Sequence, residues 1–310
     1  MSSSDSTLLY RVNLGGLWLL LVGVFLTLLT ASLLLLEESF RLISVALLVA
    51  FVGIPHGGLD HLVGRSLLRP HFGIYWPVVF FSLYLTLMAI VLAGWLVIPI
   101  MTALIFFILS AWHFGEEESG SIAYRLLLGG MVIWVPSIAR QEEVQAIIDS
   151  LTPWTTSLDL AFLQPFGLLF FPSLALWIGF LLRKKEWLTA VRLFAFLAVF
   201  VFVPVLISFV LYFCFWHSIR ELSRLARYAN PSDAWHGLGK VLIRSAPLSI
   251  STLVVSIMWL VWVHPIYGLS TSLLQWTFIG LSMLAIPHLL LHEIANRLGI
   301  NGLGEWRGYQ

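Results

Sequence analysis

ISVALLVAFVGIPHGGLDH, residues Ile43 to His61, joins an apolar run to a cluster of polar groups with no break between them. The run from Ile43 to Pro55 is shorter than the ~20 residues a perpendicular membrane helix needs. Its crossing must therefore extend through His56, Gly57, Gly58, Asp60 and His61, which carries ionisable side chains into the membrane. Pro55 can start or kink a helix, and Gly57 and Gly58 permit close approach of backbone or ligand.

The pattern recurs in AWHFGEEE (Ala111 to Glu118), FWHSIRE (Phe215 to Glu221) and IPHLLLHE (Ile286 to Glu293). In the first three motifs a carboxylate follows the histidine by four residues: His56/Asp60, His113/Glu117 and His217/Glu221. In the last, His292 follows His288 by the same step. On a helix this step keeps both side chains on one face. An ionised group at the centre of a spanning helix costs roughly 2.5–3.5 kcal/mol, so several together need compensation. Ligation of a metal ion, with carboxylates holding the ligand imidazoles, supplies it.

Composition sets the class. The chain has 310 residues, 59% of them hydrophobic and 11% charged, far from the ~25% charged of a soluble domain. It reads as a polytopic all-α membrane protein of about eight to ten helices, one domain over 1–310, with the bilayer as its surroundings. A net charge of +1 offers no basic face for nucleic acid. Cys214 is the only cysteine, so a metal here needs nitrogen and oxygen ligands, which points to iron, zinc, manganese or copper. Asp5, together with the length of the first apolar run, argues against a cleaved signal.

Apolar runs extend from Leu14 to Leu36, then in steps to a last one at Leu269 to Leu291. The segment Arg140 to Leu158 is expected outside the membrane as a surface helix. If every run crosses, Arg220, Arg224, Arg227, Lys240 and Arg244 fall opposite the other basic clusters, and His217 falls opposite His56 and His113. A break of the Leu188 to Trp216 run at Pro204, or one run that fails to cross, removes both conflicts.

Each motif has alternative readings. Glu221 is either a ligand sharing a helix face with His217 or an ion-pair partner of Arg224. His288 and His292 form a helical H-x-x-x-H, suited to capture of a metal by one helix, or they mark a wetted helix end. Glu117 reads as a support for His113, and Glu118 as solvated. His61, His71, His236 and His264 read as structural or interfacial.

PHGGLDH, WHFGEEE, WHSIRE and PHLLLH, in this order and spacing, resemble the Brp/Blh family of microbial membrane β-carotene 15,15'-dioxygenases, over nearly the whole chain. The resemblance implies a multi-pass protein of the cytoplasmic membrane that uses iron(II) and dioxygen to cleave β-carotene centrally into two retinal molecules. A retinal-accepting rhodopsin is the partner it implies. By position, the family's metal-binding histidines fall on His56, His113 and His217. The fourth departs: the family reads HSPRH where this chain has Glu221, so the resemblance implies three histidines and one carboxylate as metal ligands. Asp60 and Glu117 then act as supports, with His288 and His292 as reserve ligands. Two rivals follow from the same residues. One is a relative that binds carotenoid or retinal without catalysis, and the other is a metal-ion or proton transporter.

Overall fold

The computed structural model describes residues 25–116, 121–155, 160 and 164–299, and every regular element among them is helical. α1 (Phe25–Leu35) leads to α2 (Glu38–Leu48). The axis of α2 continues through a π turn at Val49–Gly53 and a 3-10 turn at Ile54–Leu59 into α3 (Asp60–Phe72). Pro55 lacks the N–H that would bond the carbonyl four residues back, so the α-helical ladder gives way here. The polar motif thus lies mid-helix. After a reversal at Gly73, whose φ is 52°, α4 (Trp76–Val97) runs back along α3, with Phe80 packed so closely on Gly64 that no Cβ would fit.

α5 (Pro99–Glu116) and α6 (Ile122–Ala139) form a tight antiparallel pair, in which Gly115 lies against the Arg125 backbone. α7 (Gln141–Leu151) is short. α8 (Gln164–Arg183) and α9 (Trp187–Phe202) follow. The chain then breaks at Val203 and Pro204 before α10 (Val205–Val210), a second π segment at Leu211–Ser218, and α11 (Ile219–Ala229). α12 (Ala234–Tyr267) and α13 (Leu269–Arg297) close the bundle.

Five stretches are long and apolar enough to span a membrane, among them Glu38–Val97, which holds two antiparallel passes; four shorter apolar helices accompany them. The chain is a polytopic helical membrane protein. α12 is the most lipid-facing of the long helices, with 11% of its most apolar window buried, against 50% for α6. Polar side chains tie the helices: the Trp95 indole N–H donates to Ser282 Oγ at 2.7 Å, joining α4 to α13.

The break at Pro204 separates α9 from α10, as one of the two expected ways out of the charge conflict required. With α9 and the α10–α11 rod crossing separately, and α7 staying at one end, the helices alternate direction. Arg65, Arg69, Arg125, Arg183 to Lys185, Arg220, Arg224, Arg227, Lys240, Arg244 and Arg297 then fall at the end nearer the histidine motifs. Among the described residues, Arg41 and Arg140 fall at the other. The surface helix expected after Arg140 is α7. Its residues Val144, Ile148 and Leu151 are buried, so it packs under the bundle rather than lying free of it.

Candidate metal centre

Four imidazoles from four different passes form a closed quadrilateral. Ring centroids are 4.9 Å apart for His56 and His217, 5.1 Å for His217 and His113, 5.6 Å for His113 and His288, and 6.1 Å for His288 and His56. All four pairs meet edge to face, between 71° and 89°. A metal ion bound ~2.1 Å from a nitrogen of each ring would hold the centroids roughly 5–6 Å apart. The four rings thus bring nitrogen donors of the kind that suit iron, zinc or copper to one region, while the donor atoms that all lie within 4.8 Å of one another are those of Asp60, His288 and His292.

Two of these histidines come from irregular helix. His56 lies in the 3-10 turn and His217 in the second π segment, and the two irregular stretches pack on each other. At their contact Gly53 faces Phe213, where an added Cβ would stand 2.5 Å from the ring. π turns re-aim side chains relative to an α-helix and recur at functional sites. Ser218 Oγ donates to the Phe213 carbonyl at 2.8 Å, which satisfies a backbone acceptor in the irregular stretch. The His217 ring, 1% exposed, stacks on Phe213 at 16° and meets Phe114 edge-on. Its rotamer is fixed by packing on both sides.

Asp60 is 1% exposed and departs from the role its spacing suggests. The four-residue step made it the support of His56; instead its Oδ1 lies 2.7 Å from Nδ1 of His288 and 3.3 Å from Nε2 of His292. The Tyr84 hydroxyl donates to Oδ2 at 2.9 Å. A ring N–H at Nδ1 of His288 donates to the carboxylate, which leaves Nε2 as the lone-pair donor. This is the carboxylate–histidine arrangement that orients metal ligands. Asp60, His288 and His292 also form a second donor group, whose atoms lie within 4.8 Å of one another. Its carboxylate is already engaged by His288 and Tyr84, and the His292 side chain is 40% exposed.

Glu221, expected as a fourth ligand, has its carboxylate engaged by a basic neighbour. Arg224, one turn on, holds its carboxylate through two bonds of 2.9 and 2.5 Å, the i,i+3 pairing that a helix favours. Glu221 still acts electrostatically on His288, but the fourth corner of the quadrilateral is an imidazole. Glu117 and Glu118 lie outside the described residues. His61 bonds the Gly58 carbonyl at 3.1 Å, and His71, His236 and His264 are exposed. Gly58 accounts for one glycine of the first motif: an added Cβ would stand 2.6 Å from Ser245 Cβ and 2.9 Å from its carbonyl oxygen, so α12 could not approach. Gly57 carries no such constraint, its nearest neighbour being His288 Nδ1 at 3.9 Å.

The quartet lines one region of a largely apolar cavity. From it, the cavity descends past Phe107, Phe209 and Phe278 to Val144, Ile147, Ile148 and Leu151 of α7. Leu248, Ser249 and Thr252 of α12 also line it. Reading the sequence missed Tyr84, the rings clamping His217 and the α7 floor. A lone tyrosine in an apolar helix and aliphatic residues on a short helix carry no local signal of such roles.

A family model described as β-carotene 15,15'-dioxygenase matches residues 47–295. Among curated proteins, the chain is 28% identical over 263 residues to a β-carotene 15,15'-dioxygenase from an uncultured marine bacterium, 66A03, covering 81% of this chain and 92% of that one. It is 24% identical over 291 residues to a probable β-carotene 15,15'-dioxygenase, Blh, of Halobacterium salinarum, covering 79% of this chain and 81% of that one. No solved structure matches.

Proposed function

The chain belongs to the β-carotene 15,15'-dioxygenase family, and on that premise we propose that it cleaves β-carotene at its central double bond with dioxygen, using iron(II) held by His56, His113, His217 and His288. One C=C bond breaks and two C=O bonds form, one dioxygen atom going to each carbon, so two retinal molecules result and no further reductant is needed. The observation that carries this reading is the closed ring of four imidazoles on the wall of an apolar cavity inside a membrane bundle. Four ligands leave open positions on an octahedral ion.

When bound, iron(II) supplies the spin-allowed activation of dioxygen that a polyene alone does not undergo. The protein's part is binding, orientation and exclusion of water. Phe106, Phe107, Phe209 and Phe278 give the polyene an apolar surface. Phe213 and Phe114 hold the His217 ring at its angle. Asp60, fixed by the Tyr84 hydroxyl, holds His288. Glu221 is a positioning neighbour and not a ligand in this reading. The idea of a catalytically silent binder was motivated by Glu221 standing in a ligand's place, and four imidazoles without it weaken that motive. The basic residues at the quartet end support the cytoplasmic membrane as the location, that end facing the cytoplasm.

Expression in carotene-accumulating cells tests the function. Loss of carotene with two retinal formed per carotene is expected, and His56→Ala should abolish it. A folded, iron-loaded protein that yields no retinal overturns the proposal.

A further inference from the structure

We infer that α7 is the floor of a measuring arm, and that Ile147 and Ile148 set which double bond of the polyene comes to rest at the histidine quartet. The inference rests on the cleavage reading above and adds the determinant of its position.

The first support is placement. Val144, Ile147, Ile148 and Leu151 line the cavity, α7 follows the end of α6 opposite the histidine motifs, and Ile147 packs with the cluster that includes Phe278 of α13. Phe278 and His288 are ten steps apart on one continuous helix, or about 15 Å at 1.5 Å per residue. The substrate offers a length to compare. An extended chain rises about 1.2 Å per bond, as 3.3–3.6 Å per three-bond residue implies, so the ~nine chain bonds and the ring of half a β-carotene span about 15 Å. A ring seated on α7 puts the central double bond beside the quartet.

The second support is that the floor is fixed. At the start of α7, Glu143 pairs with Arg140 and accepts the Val205 N–H at 2.8 Å, and Arg140 donates to the Val201 carbonyl at 3.4 Å. These bonds fasten α7 to both sides of the Pro204 break. At its end, the Gln275 amide donates to the Ser150 carbonyl at 3.2 Å, which ties α7 to α13. A short amphipathic helix lying loose at the interface would need none of these.

Raising the floor should move the reacting bond toward the inserted ring. Cleavage then falls on a neighbouring double bond, with one dioxygen atom still going to each carbon; the carbon nearer the inserted ring carries a methyl group, so the products are a methyl ketone shorter than retinal and an aldehyde longer than retinal. The test compares wild type with Ile147→Phe and, to deepen the arm, Ile148→Ala, resolving products by chromatography. A misplacement of 1 Å at a reacting centre costs on the order of 100-fold, so Ile147→Phe should lower retinal by about that factor while the shorter ketone and the longer aldehyde appear. Ile148→Ala should admit unequal products beside retinal. Both variants are checked for wild-type thermal stability. In parallel, retinal and homologues one vinyl unit shorter or longer are titrated anaerobically against tryptophan fluorescence. Ile147→Phe should shorten the longest homologue accepted by one unit. Exclusive central cleavage and an unchanged length limit in both folded variants would overturn the inference. Absence of any cleavage by wild type would instead sink the function proposed above, and the length series would still decide this one.

Discussion

Replacing Asp60 by Asn removes the charge that orients His288 while keeping shape. In the native site one oxygen faces Nδ1 of His288 at 2.7 Å and the other accepts from Tyr84 at 2.9 Å. The amide keeps one accepting oxygen for Nδ1 of His288 and offers its NH2 to the Tyr84 oxygen, whose own hydroxyl still has the Leu284 carbonyl at 3.3 Å, so what the site loses is the charge. Loss of a carboxylate that orients a ligand histidine typically costs 10–100-fold in metal affinity, which is about 1.4–2.8 kcal/mol. Iron affinity measured by chelator competition should fall by that factor, with the helical circular dichroism unchanged. Tyr84→Phe should fall by less than tenfold, since Asp60 keeps its charge and its bond to His288. His292→Ala separates the quartet from the Asp60–His288–His292 group as the metal site: at 3.3 Å from Asp60 and 40% exposed, its loss should change affinity no more than a few-fold. If Asp60→Asn binds iron as wild type does, or His292→Ala loses as much as His288→Ala, the quartet is not the site.

Three further outcomes follow. His288→Ala should abolish iron binding and retinal formation, whereas Glu221→Ala should retain the metal and lose only a surface-type pair worth about 0.3–0.5 kcal/mol; metal analysis showing the reverse order would restore Glu221 as the ligand. Gly58→Ala should lower thermal stability by about 1–3 kcal/mol through overpacking on Ser245, while Gly57→Ala, with open space around its Cβ, should leave unfolding unchanged; equal effects would refute the close approach of α12. The buried Cys214 gives a silent background for topology, so an impermeant maleimide should label Glu142→Cys in intact cells and Ser232→Cys only after disruption. The opposite pattern would reverse the orientation inferred from the basic residues.

The fold class and the four motif positions were legible in the sequence for a simple reason: polar groups in apolar runs stand out, and their cost requires a common explanation. His56, His113 and His217 meet, as the motif comparison implied, and the Pro204 break was readable from its charge consequence. What failed was the pairing within motifs. The i,i+4 rule assumes an uninterrupted α-helix with each side chain looking to its own neighbour. His56 sits in a 3-10 turn after a π turn and His217 in a π segment, so both rings are rotated off the faces that counting assigns. Asp60 is left to a partner 228 residues away, and no local pattern encodes that.

The same irregularity explains why the site needs two partners for its least regular ligands. An α-helix bent into π or 3-10 geometry gives up backbone bonds, and in hydrocarbon each unsatisfied group costs several kcal/mol. The two irregular stretches lie against each other around Gly53 and Phe213, and Ser218 takes up one carbonyl, so the loss is contained where protein, not lipid, surrounds it. His113 and His288 come from unbroken helices, α5 and α13. The quartet thus combines two ligands on continuous α-helix with two on re-aimed turns. Gly53→Leu, which drives a side chain into the Phe213 ring, should therefore displace His56 and His217 together and lose iron as fully as either histidine variant, while the α5–α13 half of the site stays in place. A Gly53→Leu protein that keeps wild-type iron affinity would show that the contact between the two turns does not position the ligands.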